Sequence, residues 1–231
     1  MRIYRSNFIL FLIFLPFVIL NANPPHNWKS HADVARQVQK KYDDMNSYRA
    51  EFQIQTTKKT MTGTAYYMKP GKIRFDFSSP AGDMLLSDGQ VLWIVIKRLN
   101  VIGRQDLNLD QKDENNNRIF AVMPGTGISR LFRKYHYRFD TQQQPKKIDG
   151  KEFYVLELEQ KEKTGGYTNM KLYINSQSYL IEKADAVDSL DGKTTIQFRN
   201  LQPNAPLEGK LFQYSPPDTQ RVVFNPLVSE E

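Results

Sequence analysis

The side chains in this sequence that could do chemistry are few and scattered. Its three histidines stand at positions 26, 31 and 136. None lies at i, i+4 beside a glutamate, the helical spacing that holds zinc next to a general base. There is no cysteine, which removes thiol catalysis, cysteine metal ligands and disulfides together. The nucleophile elbow G-x-S-x-G, the phosphate-cradling P-loop and the dinucleotide motif G-x-G-x-x-G are all absent. Glu157 and Glu159 share one strand face, as the paired carboxylates of a glycoside hydrolase could do. They alternate with Leu156 and Leu158, so the period of two predicts the wet face of a half-buried strand instead. The expectation is a protein that is not an enzyme and uses no metal or other cofactor.

Arg130, Arg133, Lys134 and Arg138 interleave with Phe132, Tyr135 and Tyr137, a combination that can grip single-stranded nucleic acid. The start of the chain argues against that use. Arg2 and Arg5 precede an apolar run from Phe8 to Leu20, broken only by Pro16, and Ala22 then offers a small residue for cleavage. The run has 13 residues, short of the roughly 20 needed to cross a bilayer. Residues 1–22 are therefore expected to be a signal peptide, leaving 23–231 as a single exported domain. No cysteine follows the run to carry a lipid anchor. The formal charge of +7 falls to +5 on removal of that segment, which carries two Arg and no acid. Such a surplus suits anionic headgroups or acidic partners, and no nucleic acid is expected. The basic cluster is then the solvated side of a short helix that buries Ile128, Leu131, Phe132 and Tyr135.

Most of the sequence alternates. Ser30 is an expected N-cap, with Asp33 three residues on. Val34, Val38, Tyr42 and Met45 then form one helical stripe. The period switches to two at Tyr48, Ala50, Phe52 and Ile54, and Thr62 to Met68 follows as a second strand. Ile73, Phe75 and Phe77 alternate with Arg74 and Asp76 after a Lys69-Pro70-Gly71-Lys72 turn. Met84 to Leu86 and Val91 to Ile96 flank Asp88-Gly89, a hairpin signal. Residues 106–117 are polar and predict a loop. Strands resume at Phe153 to Glu159, Tyr167 to Ile174, Tyr179 to Val187 and Thr194 to Arg199. About ten strands with no strand–helix alternation exclude a parallel sheet. The predicted fold is mainly β, one large antiparallel sheet curled around an N-terminal helix and short inserted helices. Periodicity leaves open whether its apolar face is a filled core or lines a cavity.

Several short segments resemble one family. Met68 to Phe77 (MKPGKIRFDF), then Pro80, Leu86-Ser87-Asp88-Gly89 and Leu92-Trp93, look like the signature of the periplasmic outer-membrane lipoprotein carriers, the LolA type. Met45 to Phe52 resembles that family's junction between helix and first strand. Phe212, Pro217 and Val222 resemble its closing strand. The resemblance implies an unclosed antiparallel β-barrel with a helical lid, a monomer in the periplasm. It implies binding of lipoprotein acyl chains, released by an inner-membrane ABC-type complex and passed to an outer-membrane acceptor. Carried over by position, Tyr48, Phe52, Ile73, Phe75, Phe77 and Trp93 would face the lipid cavity, and Ile119, Phe120 and Met123 would belong to the lid. Lys69 stands where the family usually has an Arg that bonds lid carbonyls and latches the empty form. Two other roles suit the same fold, a carrier of free lipid or glycolipid and a lipoprotein-sensing regulatory module.

Overall fold

The computed structural model describes residues 28–107, 126–162 and 166–224. Helix α1 (His31–Asp44) begins on a capping box. Ser30 Oγ accepts from the Asp33 N–H at 3.1 Å, and the Asp33 carboxylate accepts from the Ser30 N–H at 3.0 Å. Two of the helix's free N–H groups are thereby satisfied reciprocally. Its stripe of Val34, Ala35, Val38 and Tyr42 is buried.

A meander follows: β1 (Ser47–Thr56), β2 (Thr60–Met68), β3 (Lys72–Ser79), β4 (Met84–Ser87), β5 (Val91–Ile96) and β6 (Val101–Asp106). Helix α2 (Thr126–Lys134) leads directly into β7 (Tyr135–Phe139). After β8 (Lys146–Ile148) come β9 (Lys151–Gln160), β10 (Tyr167–Asn175), β11 (Ile181–Asp188) and β12 (Lys193–Pro203). A short 3-10 turn at Gly209–Phe212 precedes the last strand, β13 (Arg221–Phe224).

All thirteen strands form one sheet, in the order β13-β6-β5-β4-β3-β2-β1-β12-β11-β10-β9-β7, with β8 on the side of β9. The ends β7 and β13 do not pair with each other, so the barrel is unclosed, as predicted. Among the described residues there are thirteen strands rather than about ten, because β6, β7 and β8 fall where no strand was predicted. The sheet also departs once from antiparallel pairing, where β13 runs parallel to β6.

One face of the sheet carries the core. Tyr48, Ala50 and Phe52 of β1, Ala65 and Tyr67 of β2, and Ile73 and Phe75 of β3 are buried with Leu156, Met170, Leu172 and Ile174 across the sheet. Helices α1 and α2 lie on this inner face, contributing Val38, Tyr42, Ile128, Leu131 and Phe132. The outer face of β3 to β6 has a cover of its own. Leu86, Ile102 and Phe212 are buried there outside the main core. Arg74 donates to the Leu211 carbonyl at 2.9 Å, and the Trp93 ring lies 5.5 Å from that of Tyr214. The segment from Ala205 to Phe224 is a strap across the outside of the meander.

Candidate functional site

The register brings five connections to one end of the half-barrel. These are the turns β1–β2 (56–60), β3–β4 (79–84), β5–β6 (96–101), β9–β10 (160–167) and β11–β12 (188–193). Thr56 pairs with Thr194, which sets the end of β1 beside the start of β12. Tyr167 pairs with Asp188, which adds the start of β10 to the same end. Helix α1 serves the other end. Its Tyr42 hydroxyl accepts from the Ile181 N–H at 3.0 Å, at the opposite tip of β11. Burial pushes the Tyr42 phenol well above its ordinary pKa, so it stays protonated.

Beneath the five turns the described residues do not fill the inner face. A cavity of about 400 Å³ lies there, within the usual range for small-ligand sites. Its walls are Ile54, Met61, Phe75, Phe77, Leu85, Ile94, Ile96, Ile196 and Phe198, with Tyr167 and Thr194 on the far side. Lys59, Pro80, Asp83 and Arg98 come from the turns and form its mouth. The floor is aromatic: the Phe52 ring lies 5.0 Å from Phe75 and 5.1 Å from Phe77. Glycine at 63 makes room for this cluster, since a Cβ there would stand 2.9 Å from the Phe52 ring and 2.0 Å from the Asp76 carbonyl oxygen. An apolar hollow with charge only at its rim can hold hydrocarbon and do little else.

The residues singled out from the sequence divide between several places. Phe75 and Phe77 line the cavity, and Phe52 packs beneath them. Tyr48 and Ile73 lie in the filled core, Tyr48 edge-on to Phe198 at 6.4 Å. Trp93 is not brought to the cavity. It points to the outer face, against Tyr214 and with the Arg104 guanidinium 5.9 Å from its ring centroid. Both faces of β5 are apolar, so the pattern VLWIVI could not say which side Trp93 takes. Ile94 and Ile96 hold the inner side in its stead. Ile119, Phe120 and Met123 lie outside the described residues. Lys69 does bond a helix carbonyl, but that of Asp43 in the last turn of α1. Ile196, Phe198 and Tyr167 were not singled out from the sequence, although their strands were; the same alternation that marked Phe75 could have found them.

A larger hollow of about 710 Å³ lies on the outer face of β7 and β9 to β12, with Glu157, Lys171, Asp185 and Lys193 among its lining residues. Beside it Asp140 is gripped by Lys146 at 2.5 Å and Lys171 at 2.8 Å. Those two ammonium groups hold its carboxyl well below the ordinary carboxylate range. Glu157, one of the paired carboxylates, is tied to Arg138 at 3.0 Å and Lys171 at 3.6 Å. Burial pushes the Tyr173 phenol up to about 12. Among the described residues no group of three side chains could hold a metal ion. No described helix is long and apolar enough to cross a membrane.

Comparison with known proteins agrees with this geometry. The model of a family described as "Outer membrane lipoprotein carrier protein LolA" matches residues 43–215. A protein of Methanocaldococcus jannaschii is 26% identical over 195 residues, 83% of this chain and 53% of its own. The chain thus spans about half the length of that relative. An outer-membrane lipoprotein carrier protein of Legionella pneumophila is 28% identical over 165 residues, 70% of this chain and 73% of the relative. The crystal structure of a conserved protein from Thermus thermophilus shares the fold, with a TM-score of 0.56 at 12% identity, over 84% of this chain and 98% of that one.

Proposed function

This chain belongs to the LolA family of outer-membrane lipoprotein carrier proteins, and from that premise we propose that it escorts lipoproteins through the periplasm with their acyl chains held in the cavity beneath the five turns. The family is one of carriers and not of enzymes. The observation that carries the reading is the apolar hollow itself, walled by Phe75, Phe77, Ile94, Ile196 and Phe198. At ~0.8 kcal/mol per methylene, one chain of about sixteen carbons held in water costs on the order of 10 kcal/mol. An escort removes most of that cost in transit. A pocket open at one end lets the chain leave again.

In this reading the cargo comes from an inner-membrane ABC-type lipoprotein-releasing complex and goes to an outer-membrane lipoprotein acceptor. The carrier works as a monomer, after loss of residues 1–22, with residues 23–231 as one domain. Phe52 supports the cavity floor, while Tyr48 and Ile73 stiffen the sheet behind it. The test is mass spectrometry of what co-purifies with the protein from periplasm, with N-terminal sequencing of the same material. Acylated N-terminal peptides of other proteins, on a chain that begins near residue 23, are the expected result. Free phospholipid or glycolipid as the sole cargo would replace this reading with that of a lipid carrier. An intact Met1 in the membrane pellet would remove the periplasmic route.

A further inference from the structure

The end of the half-barrel that holds the cavity mouth has an outward face that the carrier reading does not use. Leu99, in the β5–β6 turn, is 53% exposed, and Leu190, in the β11–β12 turn, is 82% exposed. Single exposed leucines are ordinary. These two stand on opposite lips of one opening: Ile96 and Arg98 beside Leu99, and Thr194 and Tyr167 beside Leu190's turn, line the same cavity. Exposed cations surround them, namely Lys58, Lys59, Lys97, Arg98, Lys161 and Lys193. The acids of these turns are Asp83, Glu162, Asp188 and Asp191. Two of them are turned onto turn backbone, Asp83 onto the neighbouring β5–β6 turn and Asp188 onto its own. Asp83 accepts from the Lys97 N–H at 2.9 Å, and Asp188 accepts from the N–H groups of Leu190 and Gly192 at 2.8 and 2.9 Å. The outward charge is therefore positive, around two apolar tips.

We infer that this end docks on an anionic bilayer surface, with Leu99 and Leu190 entering the headgroup layer and the surrounding lysines and Arg98 meeting lipid phosphates. Apolar tips ringed by cations are the chemistry of an interfacial contact. The contact would set the cavity mouth at the membrane surface where the releasing complex and the acceptor lie, so that an acyl chain passes between them and the cavity with little exposure to water. The inference takes its purpose from the carrier reading, but the docking itself does not depend on cargo.

The test uses cargo-free protein lacking residues 1–22 and flotation with vesicles of phosphatidylcholine, with or without phosphatidylglycerol. Binding to the anionic vesicles that weakens with added salt is expected, with little binding to phosphatidylcholine alone. The double variant Leu99→Ser, Leu190→Ser should lower that binding about tenfold or more. The triple variant Lys58→Gln, Lys97→Gln, Lys193→Gln should do so by about fivefold per charge removed. A fluorescent fatty acid offered in solution reads the cavity separately, and both variants should bind it as wild type does. Equal binding to the two kinds of vesicle, or anionic binding unchanged in both variants, overturns the docking surface and leaves the carrier reading standing. If wild type floats with anionic vesicles yet never binds the fatty acid, the carrier reading falls and the docking surface stands. Should the leucine variant lose the fatty acid as well, its fold has been damaged and the lysine variant decides.

Discussion

The two ends of the half-barrel are built from the same strands and differ in what fills them. At the α1 end, Val34, Val38, Tyr42 and Met45 press into Tyr48, Leu172, Ile174 and Ile181, all at most 2% exposed. The buried Tyr42 hydroxyl there is paired with the Ile181 N–H. At the turn end the alternation continues through Ile54, Phe77 and Ile94, but no helix among the described residues fills the space, and these side chains stay half-exposed. A period of two specifies a face. Whether that face becomes core or container depends on a second element arriving to fill it.

The largest effect that separates the ends is on stability. Tyr42→Ala should cost ~3–5 kcal/mol, as truncation of a large buried ring does where the site cannot collapse. Ile94→Ala should cost well under that, because Ile94 already faces empty space and has fewer neighbours to lose. Urea unfolding of both variants measures the contrast, and equal losses would mean that the cavity end is as tightly packed as the other.

Binding reverses the order. Phe77→Glu puts a charge into the apolar wall, a cost of several kcal/mol unless it neutralises, so affinity for a fluorescent fatty acid should fall on the order of a hundredfold or more. Its unfolding midpoint should move little, since Phe77 is only half-buried. A variant that folds and still binds the probe would place hydrocarbon elsewhere.

Lys69→Leu tests whether the two ends communicate. Its ammonium caps the Asp43 carbonyl of α1, so its loss should cost ~1 kcal/mol of stability. If acyl transfer to acceptor-bearing membranes also slows, the α1 end governs release from the cavity end, and the position acts as the resembling family's latch would. Unchanged transfer leaves Lys69 as an anchor for the helix alone.

The smallest effect lies on the outer face. Because Asp140 titrates lower folded than unfolded, its contribution is fully present above the unfolded carboxylate value near ~4 and is lost as pH falls through and below it. Asp140 is 12% exposed but its lysine partners are more open, so the contribution is roughly 1 kcal/mol or less. Unfolding of Asp140→Asn against pH should show a shallower acid limb than wild type, with fatty-acid binding unaltered.

How much of this was legible in the sequence follows from how much of it is local. The capping box at Ser30 and Asp33, the stripe from Val34 to Met45, and strands β1 to β5 were readable because each is written in a few consecutive residues. Strand β6 was not, since VIGRQD holds its buried Ile102 on the outer face, under a strap more than a hundred residues away. In β7, Tyr135 is the fourth member of an apolar helical row and also the first residue of a strand, and the helical reading took it. Asp140 and Lys171 lie 31 residues apart, and only the folded sheet brings them and Lys146 together. The cavity was legible as an apolar row and no further, because emptiness has no sequence pattern. The curled antiparallel sheet was read from periodicity and the family from the resemblance that runs from Met68 to Trp93, and Trp93 shows the limit of carrying roles over by position.

Strand β1 lies in the middle of the sheet, where Phe52 faces Gly63 on one side and Phe198 on the other. The first partner follows within a dozen residues. The second follows 146 residues later. A ribosome or a secretion channel that releases the chain from its N-terminus therefore delivers a meander with an open central edge, and the joint at β12 must wait. Pairings this distant in sequence fold slowly, in roughly milliseconds to seconds. The cavity, with one wall from each half, cannot exist before that joint forms, so the growing chain has no container in which to trap stray lipid until β12 has been made.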